Sequence, residues 1–343
     1  MDYDFITTCN WASTGTFTLR AYRGSSSDIV TSVSLFYRKK GDASWIETTD
    51  GTVVIASTGE WEVANDFNKS GDNCLFHSYS GTTAINSCTV FYLNEVALGT
   101  AAGSAFLYKL FENCTNLASM PSGFNIPTGI TSVANYFLYS TWENCSSLTE
   151  MPAGFNLPTG IVGGVGALFL SLTWYNCRMT EMPSGFNIPT GITSSGSDFL
   201  DSAWRSCASL EAMPVGFNLP TGLIGYSGSD FCKYTWMDCN SLASMPAGFD
   251  IPGGIISVDA DFMEKTWYNC VNLKNDGTYT EPITFEFTTG TDPFGGTCPI
   301  DGPSGGTKED PVEIEVNRPE PPAPSASTIT GVLTATGINT ITF

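Results

Sequence analysis

Apolar residues recur along this chain at an interval of about thirty-one, superimposed on the shorter periods of single elements. Six cysteines mark the interval: Cys114, Cys145, Cys177, Cys207, Cys239 and Cys270, at spacings of 31, 32, 30, 32 and 31. Eight residues before each stands Phe106, Phe137, Phe169, Phe199, Phe231 or Phe262. Three before each stands Phe111, Trp142, Trp174, Trp204, Trp236 or Trp267. Met-Pro pairs follow, beginning at Met120, Met151, Met182, Met213 and Met245; then come Phe124, Phe155, Phe186, Phe217 and Phe249. Repetition at such a period marks a stacked solenoid, because no single unit can bury its apolar side chains alone. Like residues of successive units then become vertical neighbours, so the cysteine and tryptophan columns form internal structural ladders.

Within one unit, Phe137, Leu138, Trp142 and Cys145 lie at i, i+1, i+5 and i+8, which predicts a short helix with one buried face. Asp198, Asp230 and Asp261 precede it in three units, where a carboxylate can accept from the free amides of a first helical turn. The Asn at 113, 144, 176 and 269 falls near its end, where Asn tolerates a left-handed backbone. The segment after it, Leu148 to Pro158, is broken by prolines and glycine and is not helix. It reads as a short strand and a turn, with the strand at Thr149–Met151 or around Phe155–Leu157. Parallel pairing of these strands between units would set a rise of ~4.8 Å. The predicted fold class is therefore an α/β repeat solenoid, leucine-rich-repeat-like, with one short parallel strand and one short helix per unit.

Trp142-Glu143-Asn144-Cys145-Ser146-Ser147-Leu148 and Trp236-Met237-Asp238-Cys239-Asn240-Ser241-Leu242, each followed by an apolar-Pro segment, resemble the repeat of BspA-like leucine-rich-repeat surface proteins. The resemblance covers about residues 104–275. It departs from that family in a longer unit, as though the Pro-x-Gly-Phe segment were inserted. The Cys177 unit is also one residue shorter, with Arg178-Met179-Thr180 after the cysteine. The resemblance implies a surface-displayed binding solenoid and carries over no catalytic residue.

Residues 1–60 read as a small antiparallel β domain: alternating runs at 16–22 and 33–38, a Lys40-Gly41-Asp42 turn and a run at 44–48. Residues 61–103 would cap the exposed solenoid end. Residues 276–317 are acidic and β-prone, and 318–343 combine a proline-rich linker with an uncharged terminal strand. An unpaired edge of that kind is hazardous, so 327–343 either dock on a neighbouring subunit or fold back on their own chain.

Charge narrows the function. Fourteen Lys+Arg against 34 Asp+Glu give a formal net charge of -20, which disfavours nucleic-acid and anionic-membrane partners. No run approaches the length of a spanning helix, and the N-terminus shows no signal peptide. His77 is the sole histidine; no Cys-x₂₋₄-Cys pair, phosphate loop or nucleophile elbow appears. The chain is accordingly expected to be no enzyme and to need no cofactor. Asp66, Asn68 and Asp72 mimic the start of a calcium loop, but His77 stands where the bidentate Glu belongs, and an Asx-rich turn also accounts for them. The ladder cysteines are expected to be reduced and buried, since parallel ladder neighbours hold their Cβ atoms beyond disulfide range. Cys74 and Cys88 can pair; Cys9, Cys232 and Cys298 have no evident partner.

The stretches at 131–136, 162–168, 193–198, 224–230 and 256–261 vary between otherwise similar units, as a binding face would. They supply the candidate ligand-binding residues Tyr136, Asp198, Tyr226, Asp230, Asp259 and Asp261. The expected function is extracellular or virion-surface recognition and adhesion, with a protein or glycan ligand. The alternative is a structural subunit of a virion, tail fibre or extracellular filament that self-assembles through its tail.

Overall fold

Alternating apolar residues near the N-terminus do form antiparallel strands. The computed structural model describes residues 3–22, 34–66, 76–246, 249, 252, 254–258 and 262–273, with two short strands in the tail. The N-terminal unit contains β1 (Phe5–Trp11), β2 (Gly15–Thr18), β3 (Arg20–Tyr22), β4 (Leu35–Lys39), β5 (Ile46–Thr48), β6 (Thr52–Ile55), β7 (Gly59–Asn65), β8 (Phe76–Ser78) and β9 (Ile85–Leu93). Five of them make one antiparallel sheet in the order β5-β4-β7-β1-β9, while β2–β6 and β3–β8 form separate antiparallel pairs. Residue 60 thus falls inside β7, and the antiparallel unit continues through β9. Phe5, Trp11, Leu35, Val53 and Val63 are buried in a core that runs without a break into the repeats, as far as Leu273.

The join is made by residues that act as a preliminary coil. Tyr79 stacks on Phe111 with centroids 5.5 Å apart and planes within 3°. Phe76 meets Phe106 edge-on at 5.2 Å, and Phe91 meets Phe124 edge-on at 4.7 Å. The amides of Tyr79 and Gly81 donate to Leu110 O and Glu112 O, both at 2.7 Å. The end of the antiparallel unit therefore supplies the first layer of the stack, and α1 (Glu95–Leu98), capped by Asn94, leads into it.

The repeats stack as the spacing requires. Trp142, Trp174, Trp204, Trp236 and Trp267 lie face to face at 5.8, 5.2, 5.6 and 5.7 Å. Phe106 through Phe262 form a second ladder at 4.9 to 5.3 Å. Phe124 through Phe249 form a third at 5.5 to 6.2 Å, edge-on to the tryptophans. Met179 is fully buried, in place of the leucine of neighbouring units, so the shorter Cys177 unit keeps its layer.

The helix expected in each unit is absent. Among the described residues α1 is the only helix, and it lies outside the repeat; the α/β assignment, with its helix per unit, is therefore wrong. Between Phe137 and Cys145 the chain makes consecutive turns instead. Thr141, Glu143 and Cys145 donate three residues back, to Leu138 O, Ser140 O and Trp142 O at 3.0 to 3.3 Å. The alternate amides of Ser140, Trp142 and Asn144 donate to Ser171 O, Thr173 O and Tyr175 O of the next coil at 2.8 to 3.1 Å. Tyr136, Leu138, Ser140 and Asn144 take φ of 52 to 62°, a left-handed conformation that costs about 1–2 kcal/mol per residue. Spacing explains why a helix loses. Packed helices sit about 8–10 Å apart, whereas the aromatic ladders of this same segment repeat at 5 to 6 Å. Coils that close cannot each carry a helix. Bonding every second amide across the gap offsets the left-handed residues.

Parallel pairing occurs, but elsewhere than expected. It joins β10 (Ala101–Ala102) to β11 (Ser132–Val133), β12 (Val162–Val165) to β13 (Gly191–Ser195), and β14 (Gly225–Ser227) to β15 (Ile255–Val258). All of these except β10 lie in or overlap the variable stretches. The Leu-Thr-Glu-Met segments contribute only isolated bridges, such as Glu181↔Ala212↔Ser244. In the tail, β16 (Thr334–Ala335) pairs antiparallel with β17 (Ile341–Thr342). The rest of 274–343, including the acidic segment and the proline-rich linker, lies outside the described residues.

Candidate ligand-binding face

With no helix to cap, Asp198 and Asp230 have a different place. Tyr136, Leu168, Asp198 and Asp230 occupy one column, each opening the turn segment of its coil at φ of 55 to 62°. The amides of Tyr136 and Asp198 donate to Ala167 O and Ser229 O of the following coil at 2.9 Å, and Leu168 donates to Ser197 O at 2.8 Å. Their side chains are half-buried. Asp259 and Asp261 lie outside the described residues, and for Tyr226 only the backbone, within β14, is described.

The turn segments carry two chemically distinct zones. In the first coils Tyr22 and Tyr108 are buried against the half-buried Tyr136 and Tyr139. Tyr108 and Tyr139 stack at 5.2 Å, and Tyr136 meets both edge-on. Lys109 lies 5.6 Å from the Tyr108 ring and 5.9 Å from that of Tyr139, and pairs with Glu112 at 2.6 Å. Three coils on, the segments are charged. Lys233 bridges Asp230 at 2.8 Å and Glu264 at 3.1 Å. Arg205 lies 5.0 Å from the Tyr234 ring and 5.7 Å from that of Tyr175. Thus the structure brings Asp198 and Asp230 together, and seats Tyr136 in the separate aromatic zone.

Asp201 belongs to the charged zone although its column attracts no notice in the sequence. Burial, reinforced by the Asp198 charge, pushes its carboxyl up to about 7. Burial and the Asp230 charge likewise raise Asp198. A carboxyl raised on folding contributes stability that is complete below its unfolded value near 4 and is lost as pH rises through 7. Asp201→Asn should therefore stabilise the protein by about 2 kcal/mol at pH 8 and by almost nothing at pH 4. Urea unfolding at the two pH values checks this; an equal effect at both would remove the ionisation argument.

His77 is wholly buried and stacks on Phe5 at 4.3 Å. Its Nδ1 faces Asn65 Oδ1 at 2.7 Å, so Nδ1 carries the hydrogen, and Nε2 accepts from Thr7 Oγ1 at 2.7 Å. Burial lowers its pKa to about 3, which keeps the ring neutral. Its ring nitrogens meet threonine and asparagine, not serine or cysteine. Of the calcium candidates, Asp66 is exposed after β7, while Asn68 and Asp72 lie outside the described residues. Among the described residues no group of three or more His, Cys, Asp or Glu side chains is placed to hold a metal.

All six ladder thiols are buried and free. Each donates to the carbonyl of the aromatic one coil earlier: Cys114 to Tyr79 O, Cys145 to Phe111 O, Cys177 to Trp142 O, Cys207 to Trp174 O, Cys239 to Trp204 O and Cys270 to Trp236 O, at 3.0 to 3.2 Å. Burial pushes the Cys207 and Cys270 thiols up to about 12. Cys88 stands opposite Cys9 in the β1–β9 register; Cys74 and Cys298 lie outside the described residues. No helix among the described residues is long and apolar enough to cross a membrane. No known protein family, curated protein or solved structure matches the chain.

Proposed function

We propose that the chain is a non-catalytic recognition protein, acting at a cell or virion surface, that binds a protein or glycan through its turn-segment face. The observation that carries this reading is the contrast between interior and face. Over the same coils the buried Phe, Trp and Cys columns hold their residue type, while the outward column runs Tyr136, Leu168, Asp198, Asp230. A rigid stack whose face changes from tyrosine-rich to charge-paired presents a graded surface, and recognition is its natural use. Half-buried tyrosines offer contact area with few rotamers to freeze, and a pre-ordered platform keeps the ordering cost of binding low. The resemblance to BspA-like surface proteins supports the same reading, and the net charge of -20 favours neutral or cationic ligands over nucleic acid.

A glycan and protein array, with sedimentation of the same preparation, tests it. The expected result is a monodisperse species that retains a small set of ligands and loses them on Tyr139→Ala or Asp198→Ala. An empty array together with a large, regular assembly would replace recognition by the structural-subunit reading.

A further inference from the structure

The second halves of four successive units carry a ladder of asparagine side chains, Asn125, Asn156, Asn187 and Asn218, and its first rung is open. Asn125 Oδ1 accepts from the Asn156 amide at 3.0 Å, while Asn125 Nδ2 donates to Gly154 O at 3.4 Å. Asn156 repeats this on Asn187 and Gly185 at 3.1 and 2.8 Å, and Asn187 on Asn218 and Gly216 at 3.0 and 2.9 Å. Three successive coils therefore each offer one N–H and one C=O, two residues apart, and each of these pairs is filled by a primary carboxamide of the coil before it.

The first coil offers the same pair, Asn125 N–H and Gly123 C=O, and neither has a partner among the described residues. Gly123 has φ of 80°, against 82° at Gly154, Gly185 and Gly216, so the backbone is already set in the occupied geometry. Gly123 and Asn125 line a groove of about 670 Å³ together with Val90 and Phe91 of β9 and with Ile126 and Pro127.

The geometry points to this groove as a binding site for an asparagine side chain carried on an extended peptide of a partner protein, within an Asn-apolar-Pro sequence. The complement is drawn three times in the protein itself, by Asn-Leu-Pro at 156–158, Asn-Ile-Pro at 187–189 and, as the first donor, Asn-Ile-Pro at 125–127. A primary carboxamide presents an acceptor and a donor on one edge, as the pair requires. A trans secondary amide directs them to opposite sides. A carboxylate has no hydrogen for Gly123 O and would set a charge against it. A second copy of the chain does not fit, because the last residue of the column is Asp250. The apolar lining of Val90 and Phe91 takes the residue after the asparagine.

This inference deepens the recognition reading by naming a partner chemistry, and it can fail alone: array binding through the turn-segment face would survive its loss. The test is fluorescence anisotropy on the full chain with labelled Gly-Ser-Asn-Ile-Pro-Thr-Gly and its Asn→Asp counterpart, with amide shifts followed by NMR. The expected results are saturable binding of the first peptide, at least tenfold weaker binding of the second, and a shift of the Asn125 amide. Val90→Trp, which fills the groove from an exposed β9 position, should abolish binding while leaving the far-ultraviolet dichroism unchanged. No binding at millimolar peptide, equal binding of both peptides, or full binding by the Val90→Trp variant would overturn the assignment.

Discussion

Replacing Trp204 by alanine is expected to cost about 3–5 kcal/mol of unfolding free energy, the range for removing a large buried aromatic. Trp204 is completely buried and belongs to the middle of its ladder. It stacks on Trp174 at 5.2 Å and Trp236 at 5.6 Å, and takes Phe217 and Phe186 edge-on at 5.8 and 6.2 Å. Its indole N–H has no hydrogen-bond partner among the described residues, so that polar atom opposes folding. Trp204→Phe should accordingly lose far less than Trp204→Ala, about 1–2 kcal/mol, since phenylalanine keeps a stacked ring and sheds the unpaired donor. A solenoid joins its coils only through neighbours, so the loss should also be felt unevenly. Amide exchange is expected to accelerate most in the coils after Trp204, which lose their connection to the N-terminal sheet. Urea unfolding and exchange together check both points. A loss under 1 kcal/mol, or acceleration uniform along the chain, would show that the ladder does not couple the coils.

The ladders were legible because identity recurs at a fixed spacing, and residues thirty-one apart in a stack have no alternative neighbour. The unit's internal structure was not legible, and Phe137 to Cys145 shows why. Burial at i, i+1, i+5 and i+8 suits a helix, but it suits equally a run of turns whose left-handed residues return the chain to the core. Only the spacing between coils separates the two, and spacing is a property of the assembled stack. The preliminary coil left a fainter trace. Phe76, Tyr79 and Phe91 lie between thirty and thirty-three residues ahead of Phe106, Phe111 and Phe124, yet Phe76 and Phe91 fall on β-strands and Tyr79 directly follows one, where strand alternation hides them. On the face, Tyr136, Asp198 and Asp230 could be singled out by variation alone. Asp201 and Lys233 could not, since their importance comes from burial and from charges that meet across coils.

Gly196→Ala tests the same close stacking from the backbone side, and it is expected to destabilise by about 3 kcal/mol or to prevent folding. A Cβ on Gly196 would lie 2.6 Å from Ala167 N, 2.8 Å from Ala167 Cα and 2.9 Å from Gly166 C. All three are backbone atoms of the preceding coil, so no side chain can swing aside to relieve them. Gly166 and Gly228, one coil to either side, would meet Asn135 N at 2.4 Å and Ser197 N at 2.5 Å. Gly196 does not need a left-handed backbone, so alanine there is disfavoured by contact alone. Gly154 is the opposite case: a Cβ would meet nothing within 4 Å, but φ is +82°. Gly154→Ala should thus cost only the conformational penalty of about 1–2 kcal/mol. The double variant Gly166→Ala, Gly196→Ala separates the mechanisms further. The two methyls enter different gaps, that of Gly166 against Asn135 and that of Gly196 against Ala167, so each must part its own pair of coils and the double variant should lose about the sum of the two single losses. Urea denaturation of Gly154→Ala, Gly166→Ala, Gly196→Ala and the double variant decides it, and a Gly196→Ala loss no larger than that of Gly154→Ala would mean that the coils are not held at backbone contact.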